Sequence, residues 1–69
     1  MEQNRIREFR EARGLTQVEL ARIARMASPN LCNIERGRLM PWPRIKRRLA
    51  KALRVTEQEL FPDGGGNDA

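Results

Sequence analysis

The 69-residue sequence lacks histidine and tyrosine, and it contains one cysteine, one tryptophan and two phenylalanines. Without histidine or tyrosine, the commonest general acids and bases at neutral pH are missing. One cysteine cannot form an internal disulfide, and without a second cysteine or a histidine the chain has no ligand set for zinc. We therefore expect a protein that is not an enzyme and that holds no metal or other cofactor.

Long apolar runs are also missing, so no segment is long enough to cross a membrane as a helix. The N-terminus has no apolar stretch of the kind found in signal peptides, and its acidic residues, Glu2, Glu8 and Glu11, argue against a transit peptide. These absences predict a cytoplasmic protein with no membrane partner. A chain of this length holds one domain, whose net stability is expected to be about 3–5 kcal/mol.

What the sequence does contain is an excess of positive charge. Fourteen basic residues oppose nine acidic ones, which gives a net charge of +5, and twelve of the basic residues are arginine. Arginine makes forked, planar contacts with phosphate and guanine. The excess favours nucleic acid as the partner, with an anionic membrane, an acidic protein or a merely solvated basic surface as the alternatives.

Helix signals recur along the chain, whereas no stretch alternates apolar and polar residues for long enough to be a strand. A stripe of apolar residues predicts a first helix over 4–12, and Gly14 is suited to a left-handed cap after it. Thr16 and Glu19 form a capping box that opens a second helix. The Ser28-Pro29 pair predicts a third helix, with Ser28 as its N-cap and Pro29 at its first position, ending at Gly37.

A fourth helix is predicted over 44–53 and a short fifth one after the capping box of Thr56 and Glu59. We expect Trp42, in the proline-rich connector before the fourth helix, to plug the edge of the core. On the fourth helix we expect an apolar inner side formed by Ile45, Leu49, Ala52 and Leu53, and a basic outer side formed by Arg44, Lys46, Arg47, Arg48 and Lys51. The prediction is an all-α, five-helix domain over 1–61 with a flexible tail over 62–69, which includes the glycines at 64–66.

The second and third predicted helices are separated by about three residues, and Leu20, Ala21, Leu31 and Ile34 can face one core. This spacing fits a helix-turn-helix over about 16–37, in which the small side chain of Ala21 allows the helices to cross closely. Any small helical bundle contains helix pairs, so the spacing alone does not separate this motif from other all-α folds.

Several short motifs carry a stronger signal: LTQ at 15–17, ELA at 19–21, IERG at 34–37, AKAL at 50–53 and ELF at 59–61, together with Ala24, Pro41 and Val55. In these residues, and over about 55 of its 69 positions, the sequence resembles the lambda-repressor/Cro-like (XRE) helix-turn-helix family. The resemblance implies a compact five-helix domain whose third helix lies in the major groove of DNA.

The third helix offers candidates for reading bases. Because Leu31 and Ile34 mark its buried side, Pro29, Cys32, Asn33 and Arg36 fall roughly opposite, with Ser28 at the N-terminal edge. The resemblance implies that Ser28, Pro29 and Asn33 occupy base-reading positions. The amide of Asn33 can donate to and accept from adenine at once. Cys32 is either a further contact, to a thymine methyl group, or a passive surface residue.

The resemblance also implies contacts with the DNA backbone. Gln17, at the start of the motif's first helix, corresponds to a phosphate contact of the family. Further phosphate contacts are predicted at Asn30, Arg36, Arg38 and Arg44, although each of these taken singly could be surface charge. Arg10 and Glu35 are implied to pair across the first and third helices, partly buried and with a structural role.

Three positions depart from the family pattern. Arg25 stands where the turn of the motif usually has glycine, and Arg54 stands where the last long helix usually has a glycine cap. A residue other than glycine in the left-handed region costs about 1 kcal/mol, so either these turns are remodelled or the penalty is tolerated. Ala27 replaces the usual capping residue, and Ser28-Pro29 could shift the start of the third helix by one position.

These observations predict a stand-alone, sequence-specific regulator that binds double-stranded DNA, a repressor, acting as a homodimer on half-sites about one helical turn apart. The candidates for an exposed apolar dimer contact are Val18, Leu39, Met40 and Phe61. One alternative is an antitoxin or mobile-element adaptor that binds a protein partner, such as a toxin or another regulator, as well as DNA. Another is non-specific binding of DNA or RNA through charge alone.

Overall fold

The computed structural model describes residues 4–62 and contains five helices and no strand within them. The helices are α1 (Ile6–Ala12), α2 (Gln17–Ile23), α3 (Ser28–Glu35), α4 (Pro43–Leu53) and α5 (Glu57–Leu60). The predicted all-α, five-helix architecture is confirmed. The predicted flexible tail lies, apart from Pro62, outside the described residues, and so do the glycines at 64–66. No helix within residues 4–62 is long and apolar enough to cross a membrane.

The core draws on all five helices, because each contributes at least one large apolar side chain that is fully shielded from solvent. These side chains belong to Ile6, Leu20, Leu31, Ile34, Leu49, Leu53 and Leu60. Ala21 and Ala24 are buried with them and belong to the same apolar cluster. Small side chains at these two positions let α2 approach α3 closely, as expected for Ala21. The predicted inward side of the motif, formed by Leu20, Ala21, Leu31 and Ile34, is therefore confirmed.

Two helices begin with the predicted capping boxes. The Glu19 backbone N–H donates to Thr16 Oγ1 at 3.0 Å, and the Thr16 N–H donates to Glu19 Oε1 at 2.8 Å. At α5, Thr56 and Glu59 make the same pair of bonds, at 3.0 and 2.8 Å. Each box satisfies amide groups that have no partner within the helix. The box at Thr16 fixes Gln17 as the first residue of α2.

The start of α3 differs from the prediction. Ser28 is not the N-cap but the first helical residue, because the Ala27 carbonyl already accepts from the Asn30 and Leu31 amides at 3.0 and 3.1 Å. Ala27 has an extended backbone and no side chain that could cap the helix. Pro29 fits in the first turn because amides there need no partner within the helix. The helix start is thus not displaced by the Ser28-Pro29 pair.

Both unusual arginines adopt the left-handed conformation, each with φ of 60°, beside Gly14 at 68° and Gly37 at 76°. The turns are closed by backbone bonds of the kind that end helices. Met26 N–H donates to the Ala21 carbonyl at 2.9 Å, and Val55 N–H donates to the Ala50 carbonyl at 3.0 Å. These turns keep the shape that a glycine would give, so the penalty of about 1 kcal/mol at Arg25 and Arg54 is tolerated.

Around α4, three predictions are wrong. Trp42, the N-cap of α4, is 63% exposed, and its neighbour Pro41 is the buried residue of the connector. Lys46, expected to point outward, is buried, with its ammonium 5.4 Å from the centroid of the Phe61 ring. A long aliphatic stem and a cation–π contact make that burial possible. Phe61 itself is buried and cannot belong to an exposed dimer patch, and Leu39 is half-buried.

Candidate nucleic-acid interface

The helix pair at the centre of the site is α2 and α3, which pack against each other across the turn that holds Arg25. The inner side of α3 is buried within the domain. Leu31 and Ile34 lie in the apolar core, and Glu35 is only 2% exposed. The opposite side of α3 is therefore the one that remains for a partner molecule.

That outer face is accessible in the structure. Pro29 and Arg36 are exposed, as is Asn30 at its edge, while Ser28, Cys32 and Asn33 are half-buried. At about 100° per residue, Pro29, Asn33 and Arg36 fall within one sector of the helix. The structure thus brings the predicted base-reading residues onto one side of α3, with Ser28 and Cys32 nearer its edge. We call Ser28, Pro29, Cys32, Asn33 and Arg36 the outer face of α3.

Behind this face lies a buried polar network. Arg10 Nε donates to Glu35 Oε2 at 2.8 Å, and Arg10 Nη2 donates to Glu35 Oε1 at 3.2 Å. The third donor, Arg10 Nη1, binds the Leu15 carbonyl at 2.9 Å. The structure therefore brings Arg10 and Glu35 into a forked ion pair between α1 and α3. Such pairing is needed because a buried charge without a partner is strongly destabilising.

The network has a third member that sequence reasoning missed. Gln17 Nε2 donates to Glu35 Oε1 at 3.0 Å, which joins the first residue of α2 to the last residue of α3. Eighteen positions separate the two residues, so no local pattern in the sequence signals the bond. Gln17 is half-buried, and one side of it remains open to solvent.

A second missed contact ties α1 to α3. Asn4 Nδ2 donates to the Ile34 carbonyl at 2.8 Å, and Asn4 Oδ1 accepts from the Ile6 amide at 3.1 Å. The second bond is foreseeable, because asparagine just before an apolar helix commonly caps its first amides. The bond to Ile34 depends on the tertiary fold. Asn4 thereby supports the last turn of α3 from behind.

The predicted phosphate contacts lie in more than one place. Gln17 and Arg36 line a common polar cleft of about 220 Å³, together with Arg7, Arg10 and Glu35. Arg44 instead lines a separate groove of about 630 Å³, beside the exposed Trp42. Asn30 and Arg38 are exposed near the two ends of α3. The structure thus joins Gln17 with Arg36 but does not bring Arg44 into the same cleft.

The exposed charge between positions 20 and 56 has one sign. Between Glu19 and Glu57 the only acidic residue is Glu35, whereas the same stretch contains ten basic residues. Because the Glu35 carboxylate is buried and bound by Arg10, the ionic groups that this stretch presents to solvent are cationic. Exposed acids lie outside this stretch, on α1, at Glu19 of α2 and on α5. On α1, Glu8 and Glu11 pair with Arg5 and Arg7 at 2.9 and 3.1 Å. A cationic surface beside an open helix face suits a polyanion.

A family model for a helix-turn-helix domain matches residues 4–61. The chain belongs to this helix-turn-helix family. Among solved structures, this helix-turn-helix domain is similar to the restriction-modification controller protein C.AhdI from Aeromonas hydrophila, with 35% sequence identity and a TM-score of 0.79. The similarity covers 83% of this chain and 86% of that one. The comparison with curated proteins found no match.

These findings confirm the resemblance drawn from the sequence motifs: the protein contains an XRE-like helix-turn-helix DNA-binding domain. In this helix-turn-helix domain, α2 and α3 are joined by the turn that holds Arg25, and DNA is the partner that the family binds. The coarse function is that of a DNA-binding regulator of transcription.

Proposed function

We propose that this domain is a sequence-specific repressor that binds double-stranded DNA with α3 in the major groove. One observation supports this more than any other. The outer face of α3 is left open by the fold, and the only ionic side chains that positions 20–56 present to solvent are basic. A major groove accepts a helix of this width, and its base edges distinguish all four base pairs.

Asn33 is the residue that we assign to base recognition most firmly. It lies on the outer face, and its carboxamide can donate and accept in the same plane, which matches the N6 and N7 edge of adenine. Ser28 and Pro29, in the first turn, lie where α3 would enter the groove. Cys32 sits nearer the edge of the face, where its thiol would contact a thymine methyl group.

Backbone contacts supply the larger share of the affinity in this proposal. The proposed phosphate-binding residues come from the start of α2, from α3 and the segment after it, and from the first turn of α4: Gln17, Asn30, Arg36, Arg38 and Arg44. Phosphate contacts fix the register of a protein on DNA and carry little sequence information themselves. In a plot of log affinity against log salt concentration, each phosphate that the protein neutralises makes the slope more negative by about 0.9.

Repression needs only occupancy, because a domain bound across a promoter excludes the polymerase. The similarity to a restriction-modification controller supports a role in controlling transcription. We further propose a homodimer on two half-sites, which would double the number of base contacts. Val18 and Met40, 54% and 49% exposed, are candidates for the dimer contact.

In vitro selection from a random DNA pool tests the proposal. We expect an enriched motif with two related half-sites, tight binding to it that weakens steeply as salt rises, and reduced output from a reporter promoter that carries it. An enriched motif without two-fold symmetry would contradict the dimer, and increased reporter output would contradict repression. Equal affinity for enriched and random DNA would contradict sequence-specific recognition altogether.

A further inference from the structure

Gln17 is held by a bond that its proposed role does not require. As the first residue of α2, it lies at a helix N-terminus, where N–H groups can donate to a DNA phosphate. Its side chain, however, is not left to rotate in solvent. Gln17 Nε2 donates at 3.0 Å to Glu35 Oε1, an oxygen that also accepts from Arg10 Nη2 at 3.2 Å.

The anchor for this bond is rigid. The side chains of Arg10 and Glu35 are 10% and 3% exposed, and they meet through two hydrogen bonds. The same guanidinium also binds the Leu15 carbonyl at 2.9 Å, while the Leu15 amide donates to the Arg10 carbonyl at 3.1 Å. Arg10 therefore holds both the carboxylate that binds Gln17 and the chain that leads into α2.

The bond to Glu35 leaves Gln17 able to bind a phosphate. A carboxamide has two N–H donors, and Glu35 Oε1 accepts from only one of them. Gln17 borders the polar cleft that Arg36 also lines, so its second donor has an anionic ligand within reach if DNA lies against this cleft. Fixing the side chain beforehand removes the loss of rotamer freedom that binding would otherwise involve.

We propose that Glu35 is a positioning residue for the contact between Gln17 and the DNA backbone. Its carboxylate, held by Arg10, fixes the side-chain amide of Gln17 in the orientation in which that amide can donate to a phosphate. This rests on the proposed function, because it takes Gln17 as a phosphate contact. It adds that the ion pair between α1 and α3, besides stabilising the fold, sets the geometry of the interface. Ordering one long side chain in advance is worth about two- to tenfold in affinity.

A double-mutant cycle separates positioning from a purely structural role. The anchor is removed by R10M/E35L, since exchanging a buried ion pair for apolar residues tends to preserve the fold. Q17A removes the contact, and the triple variant combines the two changes. The exposed pair on α1 gives the matched control, R5Q/E8Q. Affinity for the DNA enriched by the wild type is measured on protein whose folding is verified by circular dichroism.

The anchor variant should bind about two- to tenfold more weakly than the wild type, and this loss should disappear when Q17A is already present. The control R5Q/E8Q should change the affinity by the same factor whether or not Q17A is present. An anchor variant that binds as well as the wild type, or a loss of the same size in the Q17A background, would overturn the proposal. Should R10M/E35L be unfolded, E35Q takes its place in the cycle, because it keeps the size of Glu35 but has one acceptor oxygen where the carboxylate has two.

A second readout needs no DNA. Side-chain ¹⁵N relaxation of Gln17 can be compared with that of Gln58, which is exposed on α5. We expect Gln17 to be the more ordered of the two in the wild type and to become as mobile as Gln58 in the anchor variant. Equal mobility in the wild type would refute the positioning role. If N33A weakens DNA binding and Q17A does not, this inference fails while the proposed function stands; if the wild type binds no DNA, both fail.

Discussion

The two sides of α3 are built from different kinds of residue, although both fall within positions 28–36. The inner side holds Leu31, Ile34 and Glu35, all within 2% of full burial. The outer face holds Pro29 and Arg36, which are exposed, and Asn33, which is half-buried. The apolar side chains that stabilise the domain are thus distinct from those proposed to contact DNA, so substitutions of Leu31 or Ile34 and of Asn33 should have separable effects. Glu35 is the exception, because its bond to Gln17 links the inner side to the proposed interface.

The charges of the molecule show the same division. Glu35 is buried and bound by Arg10 and Gln17, whereas Glu8 and Glu11 are exposed and paired along α1. A buried pair is costly to disrupt, because the remaining charge has no water to solvate it. An exposed pair contributes little, since water and salt screen it. Burial, more than the number of ion pairs, decides what each pair does for stability.

The largest expected effect is on the inner side. R10A leaves the Glu35 carboxylate buried without its partner, so the free energy of unfolding should fall by about 3–5 kcal/mol, close to the whole stability expected for a domain of this size. Urea denaturation followed by circular dichroism measures it. R7A, which disrupts the exposed pair on the same helix, should cost less than about 1 kcal/mol. If R10A weakens the DNA-binding free energy of the folded protein by more than it lowers the free energy of unfolding, Arg10 contacts DNA and its role is not mainly structural.

On the outer face, N33A should weaken binding to the enriched DNA by about 1–3 kcal/mol and change the free energy of unfolding by less than about 0.5 kcal/mol. Binding to random DNA should barely change. R38A is the matched control, because losing a phosphate contact weakens all sequences alike and reduces the salt dependence. Titrations of both variants against both kinds of DNA measure this, and an unchanged preference for the enriched DNA in N33A would remove Asn33 from base recognition.

A smaller effect is expected at the left-handed end of α4. R54G should be more stable than R54A by about 1 kcal/mol, because both variants lose the same charge and only glycine is free of the Cβ penalty at φ of 60°. Thermal unfolding of the two variants gives the difference. Equal stability would mean that the backbone at this position relaxes without strain.

The smallest effect concerns the exposed pair on α1. The hydrogen bond from Arg5 is the main reason why the pKa of Glu8 lies below its ordinary value of 4.5. A carboxylate with a lowered pKa in the folded state stabilises the fold above its ordinary pKa, and this contribution is lost as the pH falls through the folded-state value. E8Q should therefore show a slightly shallower loss of stability below about pH 4.5, measured by urea denaturation at several pH values. A steeper loss in E8Q would contradict this sign.

Much of the fold could be predicted because its signals are local. The capping boxes at Thr16 and Thr56 mark helix starts, and Gly14 marks a helix end, each by residues within one turn of it. The wrong predictions at Lys46 and Phe61 concern surroundings set by distant parts of the chain, because these two residues are buried against each other fifteen positions apart. The other wrong predictions are local: Pro41 is buried in place of its neighbour Trp42, and Ala27 precedes α3 as its N-cap.

In the candidate site, too, features set by local sequence could be predicted and features set by helix packing could not. Periodicity places Asn33 opposite Leu31, because both lie on one short helix. The bond from Gln17 to Glu35 has no counterpart in local sequence and depends on how α2 packs against α3. The roles of Ser28, Pro29, Cys32, Asn33 and the phosphate-binding residues remain predictions.

The most direct test of α3 as the reading helix is to repeat the in vitro selection in parallel with the wild type and with N33A. We predict that the two enriched motifs will share their half-site spacing and most of their positions. They should differ at one base pair in each half-site, where the preference for adenine is lost in the variant. Identical motifs from the two proteins would show that the outer face of α3 does not read that DNA through Asn33.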